Sequence, residues 1–118
     1  MTINRRTKYG NIKLRLHGHV FDSKAEGRRY RELLLLEKAG EITDLQIHPR
    51  YLLQEDFTDG EGVRIRPIHY TADFAYRERG RGVVEDVKSP PTRKKADYVM
   101  RVKLFKKRYP DVVFKEIT

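Results

Sequence analysis

Alternation of apolar and polar residues is the clearest regularity along the chain, and it is strongest in residues 68–88. On an extended strand Tyr70, Ala72, Phe74 and Tyr76 share one face, while His69, Thr71, Asp73 and Ala75 share the other. Further on, Val83, Glu85 and Val87 alternate with Val84, Asp86 and Lys88. Glu78-Arg79-Gly80-Arg81 lies between the two arms and reads as a turn, so the stretch is expected to be a β-hairpin. A shorter alternation, Leu14 and Leu16 and then Val20 and Phe21 around Gly18, predicts a small hairpin over residues 13–21. His17 and His19 within it read as exposed strand histidines.

The period then changes. Ser23-Lys24-Ala25-Glu26 fits a capping box, Tyr30, Leu33 and Leu34 form an apolar stripe, and Gly40 ends the segment after Lys38-Ala39. This is the first helix. Glu26 lies one turn before Tyr30 on the same inward face. Residues 42–54 read as a strand carrying Leu45, Ile47, Tyr51 and Leu53, with a bend or edge position at Pro49 and with Gln46, His48 and Arg50 on the other face. Residues 55–62 form an acidic loop. Ser89-Pro90-Pro91-Thr92 stops sheet pairing after Lys88. A second helix is expected over residues 96–109, with Tyr98, Val99, Val102 and Phe105 inward and Lys103, Lys106 and Lys107 outward, followed by a strand over residues 112–117. The order helix, strand, strand, strand, helix, strand predicts an α/β domain.

Length and composition narrow the class. At 118 residues the chain has room for one core: a single domain over residues 13–118, preceded by a flexible basic arm over residues 1–12. The absence of cysteine excludes disulfides and thiolate metal sites. No apolar run has transmembrane length and no signal-peptide core opens the chain, so a soluble cytoplasmic protein without a membrane partner is expected. The formal charge is +9, and residues 1–20 and 93–108 together hold half of the 26 Lys and Arg residues. Such clusters are the electrostatic footprint of a polyanion partner, with DNA the first candidate. The residues expected to hold its backbone are Arg5, Arg6 and Lys8 of the arm and Arg93, Lys94, Lys95, Arg101 and Lys103 around the second helix.

The hairpin adds chemistry to that charge. A turn centred on Arg79-Gly80 pairs Asp73 with Asp86 and Thr71 with Lys88. Acids and lysines on a strand are ordinarily its solvated face, and a one-residue slip would pair Asp73 with Val87 instead. Asp73, however, stands among Tyr70, Ala72, Phe74 and Ala75, where an acid weakens a strand. Directly opposed carboxylates repel unless a cation lies between them. Magnesium suits oxygen ligands and leaves room for water and phosphate, and Lys88 would stand beside it to hold a water or offset charge on a phosphate.

An acid on one strand followed by Asp86-x-Lys88 on the next resembles the PD-(D/E)XK nuclease superfamily, which includes restriction endonucleases and Holliday-junction resolvases. Asp73 matches its first acid, Asp86 its second and Lys88 its lysine, while Ala72 stands at the place of its proline. The likeness is greatest to small phage- and prophage-encoded members, through Tyr9-Gly10-Asn11, the run from Phe21 to Glu26, Ala72-Asp73-Phe74 and Glu85-Asp86-Val87-Lys88. The resemblance implies a restriction-endonuclease-like core, with a mixed central sheet and flanking helices. It also implies a role for Glu26 as a third metal-binding acid, beside its reading as a helix cap. The expected activity is metal-dependent DNA endonuclease, with Glu26, Asp73 and Asp86 holding Mg2+ (or Mn2+ in its place) and Lys88 acting on the attacking water. The expected substrate is branched DNA, as for a resolvase in DNA recombination, or one strand of a duplex, as for a nickase. A homodimer is the default for paired cuts. The alternatives are a non-catalytic basic nucleic-acid-binding module and a structural protein of a phage particle.

Overall fold

The computed structural model describes residues 2–6, 12–89 and 95–118, with side chains from Arg15 onward. Thr2–Arg6 (β1), Ile12–Leu16 (β2) and His19–Phe21 (β3) form a three-stranded antiparallel sheet in sequence order. The small hairpin expected over residues 13–21 is therefore present, turning through His17 and Gly18, both at positive φ. The flexible arm expected over residues 1–12 is not what residues 2–6 form. Their amides and carbonyls pair with β2, and main-chain hydrogen bonding does not depend on an apolar side-chain pattern.

The first helix, α1, runs Lys24–Lys38. Ser23 caps it, its hydroxyl accepting from the Glu26 amide at 3.1 Å. Glu26, Gly27, Tyr30 and Leu33 are its buried residues, the face expected from the periodicity. Thr43–Ile47 (β4), Phe74–Glu78 (β9), Arg81–Val87 (β10) and Val113–Ile117 (β11) build the central sheet in the order β11-β10-β9-β4. It is mixed: β10 runs parallel to β11 and antiparallel to β9, and β4 is antiparallel to β9. The second helix, α2, spans Ala96–Arg108 and makes the crossover between the two parallel strands. Helix, three strands, helix and strand thus follow one another as expected. No helix among the described residues is long and apolar enough to cross a membrane.

The helices cover opposite faces of that sheet, because alternate residues of β9 and β10 enter different cores. Phe74, Tyr76 and Val83 pack with Tyr30 and Leu33 of α1. Ala75 and Val84 pack with Phe105 of α2. Glu85 lies on the α1 side with no exposed surface; Arg29 grips both its oxygens, at 2.7 and 2.6 Å, and the Tyr76 hydroxyl donates to it. Removing one partner of a buried pair strands the other charge. Arg29→Met is expected to cost about 3 kcal/mol, the low end for such a break because Arg29 keeps some exposure; urea unfolding of both proteins would read it as a lowered midpoint.

The sheet divides at one end. Arg50–Gln54 (β5) pairs with Ile68–Thr71 (β8) in a separate two-stranded ribbon, and Phe57–Thr58 (β6) with Arg64–Ile65 (β7) makes a small hairpin where only a loop was expected. Asp59 closes that hairpin, its Oδ1 accepting the Glu61 and Val63 amides at 2.9 Å. The segment over residues 42–54 is thus two strands in two sheets, bent at His48-Pro49 as the proline suggested. The opposite bend falls at Ala72-Asp73. There the first arm of the hairpin, expected as one strand, breaks into β8 and β9, and its face changes: Tyr70 and Ala72 lie in the α2 core, Phe74 and Tyr76 in the α1 core. The two bends are tied together, with the His48 amide donating to Asp73 O at 2.9 Å and the Ala72 amide to Pro49 O at 3.0 Å.

Candidate metal centre and active site

The turn residues Arg79 and Gly80 both take positive φ, 53° and 78°, as a tight hairpin whose twist matches its strands requires. They set the register expected from the sequence: Val83 opposes Tyr76, Val84 opposes Ala75 and Glu85 opposes Phe74. The ladder ends there, and Asp73 stands at the break. Its amide donates to Glu85 O at 3.2 Å, and its Oδ2 accepts the Val87 amide at 2.7 Å, so a carboxylate takes the place of a strand carbonyl beside β10.

Three elements bring donors to this point. Glu26 arrives from the first turn of α1, 5 % exposed. His48 arrives from the end of β4, its Nε2 2.7 Å from Glu26 Oε1. With Asp73 they form a Glu-His-Asp group whose ligand atoms lie within 4.8 Å of one another. A cleft of about 350 Å³ opens over Glu26, Asp73, Val87 and Lys88. Asp86 is on the α2 side, 1 % exposed, its Oδ2 held by the Tyr70 hydroxyl. Lys88 Nζ is 3.3 Å from Asp86 Oδ1 and lies over the Tyr98 ring, and Lys88 lines both the first cleft and a second of about 390 Å³ that contains Asp86, Lys95 and Arg101. The four residues singled out from the sequence therefore meet at one end of the sheet, with Lys88 between the clefts.

A family pattern, DUF1064, described as a protein of unknown function, matches residues 6–118. The chain belongs to the DUF1064 family. No curated protein and no solved structure matches it.

Burial dominates the electrostatics of the DUF1064 site. Burial raises the proton affinity of Glu26, although hydrogen bonding and charge from His48 oppose it. Burial likewise raises Asp73, and repulsion from Glu26 adds to it. Asp86 is pushed up to about 7, by burial first and then by the neighbouring Asp73 carboxyl. Asp86 Oδ1 is buried without a hydrogen-bond partner; the Lys88 ammonium is close but outside hydrogen-bonding geometry. An orphaned carboxylate oxygen next to crowded acids is what a divalent cation satisfies, and carboxylate and imidazole donors suit such an ion. The residues fit a metal, with Glu26, His48 and Asp73 able to hold it and Asp86 adjoining.

His48 was not singled out in the sequence, where it was one of three polar residues on a strand face. Only Pro49 behind it hinted at a bend. Its φ of 53° is uncommon outside glycine and turns its ring toward Glu26. The Glu26 carboxylate reaches His48 and also has a backbone hydrogen bond to Asp22 just ahead of the helix. Of the residues expected to bind DNA, Lys95 and Arg101 line the second cleft, Arg101 also donating to His69 O at 2.8 Å, and Lys103 is exposed on α2. The side chains of Arg5, Arg6, Lys8, Arg93 and Lys94 lie outside the described residues.

Proposed function

We propose that this DUF1064 chain is a metal-dependent DNA endonuclease of the PD-(D/E)XK type, built on a restriction-endonuclease-like core. The observation that carries the reading is the meeting of Glu26, Asp73 and Asp86-x-Lys88 at the place where the sheet divides, three of them acids with raised proton affinity and one with an orphaned oxygen. The order and directions of the strands support the same core. Magnesium or manganese is the proposed ion.

When bound, the ion supplies Lewis-acid polarisation of a phosphate and balances the acids. The chain does the rest. Asp73 and Glu26 orient the site from the break before β9 and from α1, and Asp73 is itself fixed by the Val87 amide. Lys88, held over Tyr98, positions the water that attacks phosphorus in line. The P–O bond to the leaving strand breaks as the new one forms, and the ammonium offsets charge developing on the phosphate oxygens. Lys95 and Arg101 give the strand a basic wall beside the reacting phosphate. Branched DNA is the proposed substrate, cut by a homodimer, since one site cuts one strand.

Cleavage of labelled duplex, nicked, single-stranded and four-way-junction DNA, in magnesium, manganese or EDTA, tests this. Cutting should need the metal, favour the junction and vanish in Asp86→Ala and Lys88→Ala. DNA bound but never cut under any condition would leave a binding module instead.

A further inference from the structure

We infer that His48 is a metal ligand, and that it makes this centre selective for a borderline divalent ion such as Mn2+ or Co2+ over Mg2+. The inference deepens the proposed function: it rests on that reading's metal site, though not on its DNA substrate.

Three observations carry it. The donor group is not acidic alone, because His48 Nε2 stands 2.7 Å from Glu26 Oε1 and within 4.8 Å of an Asp73 oxygen. The main chain of His48 is left-handed and its amide donates to Asp73 O at 2.9 Å, which ties the backbone that carries the imidazole to one of the acids. The adjoining Asp86 Oδ1, 1 % exposed and without a hydrogen-bond partner, has the Lys88 ammonium at 3.3 Å as its counter-charge and leaves a lone pair open beside the group. A structural Glu-His pair alone would not require Asp73 or an orphaned carboxylate beside it.

Donor chemistry then determines the ion. Magnesium is hard, takes oxygen and gains little from imidazole; manganese, cobalt and zinc accept nitrogen readily. An imidazole among carboxylates therefore raises affinity for the transition ions while leaving magnesium to the oxygens. In the metal-free state the Glu26–His48 contact holds the place of the ion. Binding would use the Nε2 lone pair, so the 2.7 Å contact of Nε2 with Glu26 Oε1 would give way to the ion.

The test is metal binding to the full chain without DNA. Affinities for Mn2+, Co2+ and Mg2+ are measured by calorimetry, and the Mn2+ protein is examined by pulsed electron paramagnetic resonance for nitrogen hyperfine coupling. His48→Asn is the variant of choice, because asparagine tolerates the left-handed backbone and offers an oxygen in place of nitrogen. Wild type should show imidazole coupling and bind Mn2+ and Co2+ at least about tenfold more tightly than Mg2+; His48→Asn should lose the coupling and about tenfold or more of the Co2+ affinity, with Mg2+ changed by less than about threefold. Absence of nitrogen coupling in Mn2+-loaded wild type overturns the inference, and this arm stands even if the variant fails to fold. Equal selectivity in a folded His48→Asn overturns it too. Cleavage assays separate this outcome from the nuclease reading: nitrogen-ligated metal without DNA cutting removes the nuclease and keeps the ligand, whereas magnesium-driven cutting indifferent to His48→Asn does the reverse.

Discussion

Asp73→Asn is expected to slow metal-dependent DNA cleavage by about 10³-fold or more, the equivalent of about 4 kcal/mol of transition-state stabilisation, while DNA binding in EDTA stays equal or tightens. The substitution is nearly isosteric, and the amide oxygen can still accept the Val87 N–H that Asp73 Oδ2 accepts at 2.7 Å. The bend at Ala72-Asp73 is held by backbone bonds to Pro49 O and from the His48 amide, neither of which uses the side chain. The fold should therefore survive. What is lost is charge at the centre of the donor group, between Glu26 and Asp86, where an amide nitrogen would face groups that need a cation. Loss of a negative charge beside a phosphate removes repulsion, which is why binding without metal should not weaken. Single-turnover cleavage on the preferred DNA, with fluorescence anisotropy for binding, separates the two effects. Unchanged cleavage would remove Asp73 from the active site. Parallel loss of binding and cleavage would point to a binding surface.

The part of this site that lies within one hairpin was legible in the sequence, and the part that depends on a distant bend was not. Arg79-Gly80 marked the turn, and a turn determines register locally, so the pairing of β9 with β10 followed from it. The helix that carries Glu26 was legible for the same reason: its cap, stripe and terminal glycine are all nearby. The break at Ala72-Asp73 was hidden, because alternation from Tyr70 to Tyr76 runs through it without a pause. Alternation reports which side chains are buried, and here both faces are: Tyr70 and Ala72 are buried against one core, Phe74 and Tyr76 against the other. The cause of the break lies in β4 and β5, which diverge at Pro49 and draw their partner strands apart. His48 was missed with it. A lone histidine in a strand has no local signature, and it becomes a donor only because the bend aims it at Glu26. The strand over residues 2–6 escaped for another reason, since main-chain pairing leaves little trace in a polar sequence.

The same crowding of acids has a consequence for stability that needs no DNA. Asp86 has its pKa pushed up from 3.8 to about 7, first by burial and then by Asp73, and it is 1 % exposed. Because the folded state holds this proton more tightly than the unfolded chain, the associated stability is fully present below about pH 4 and is lost as the pH rises through about 7. The loss for this one group is at most about 4 kcal/mol. Glu26 and Asp73 are raised as well and act with the same sign. The metal-free protein should therefore unfold at a lower temperature at pH 8 than at pH 5.5, and a saturating divalent ion should restore much of the difference at pH 8, because binding to the folded state alone stabilises it. Asp86→Asn removes the buried charge at high pH and keeps an acceptor for the Tyr70 hydroxyl that Asp86 Oδ2 now accepts. It is expected to raise the metal-free Tm at pH 8 by several degrees, about 1–2 kcal/mol for a domain of this size, to flatten the pH dependence and to blunt the gain from metal. Thermal unfolding followed by circular dichroism at the two pH values, with EDTA or with metal, gives all three readouts. A variant less stable than wild type at pH 8 would mean that Asp86 carries structural weight beyond its charge, and would count against reading it as an acid kept in the core for chemistry.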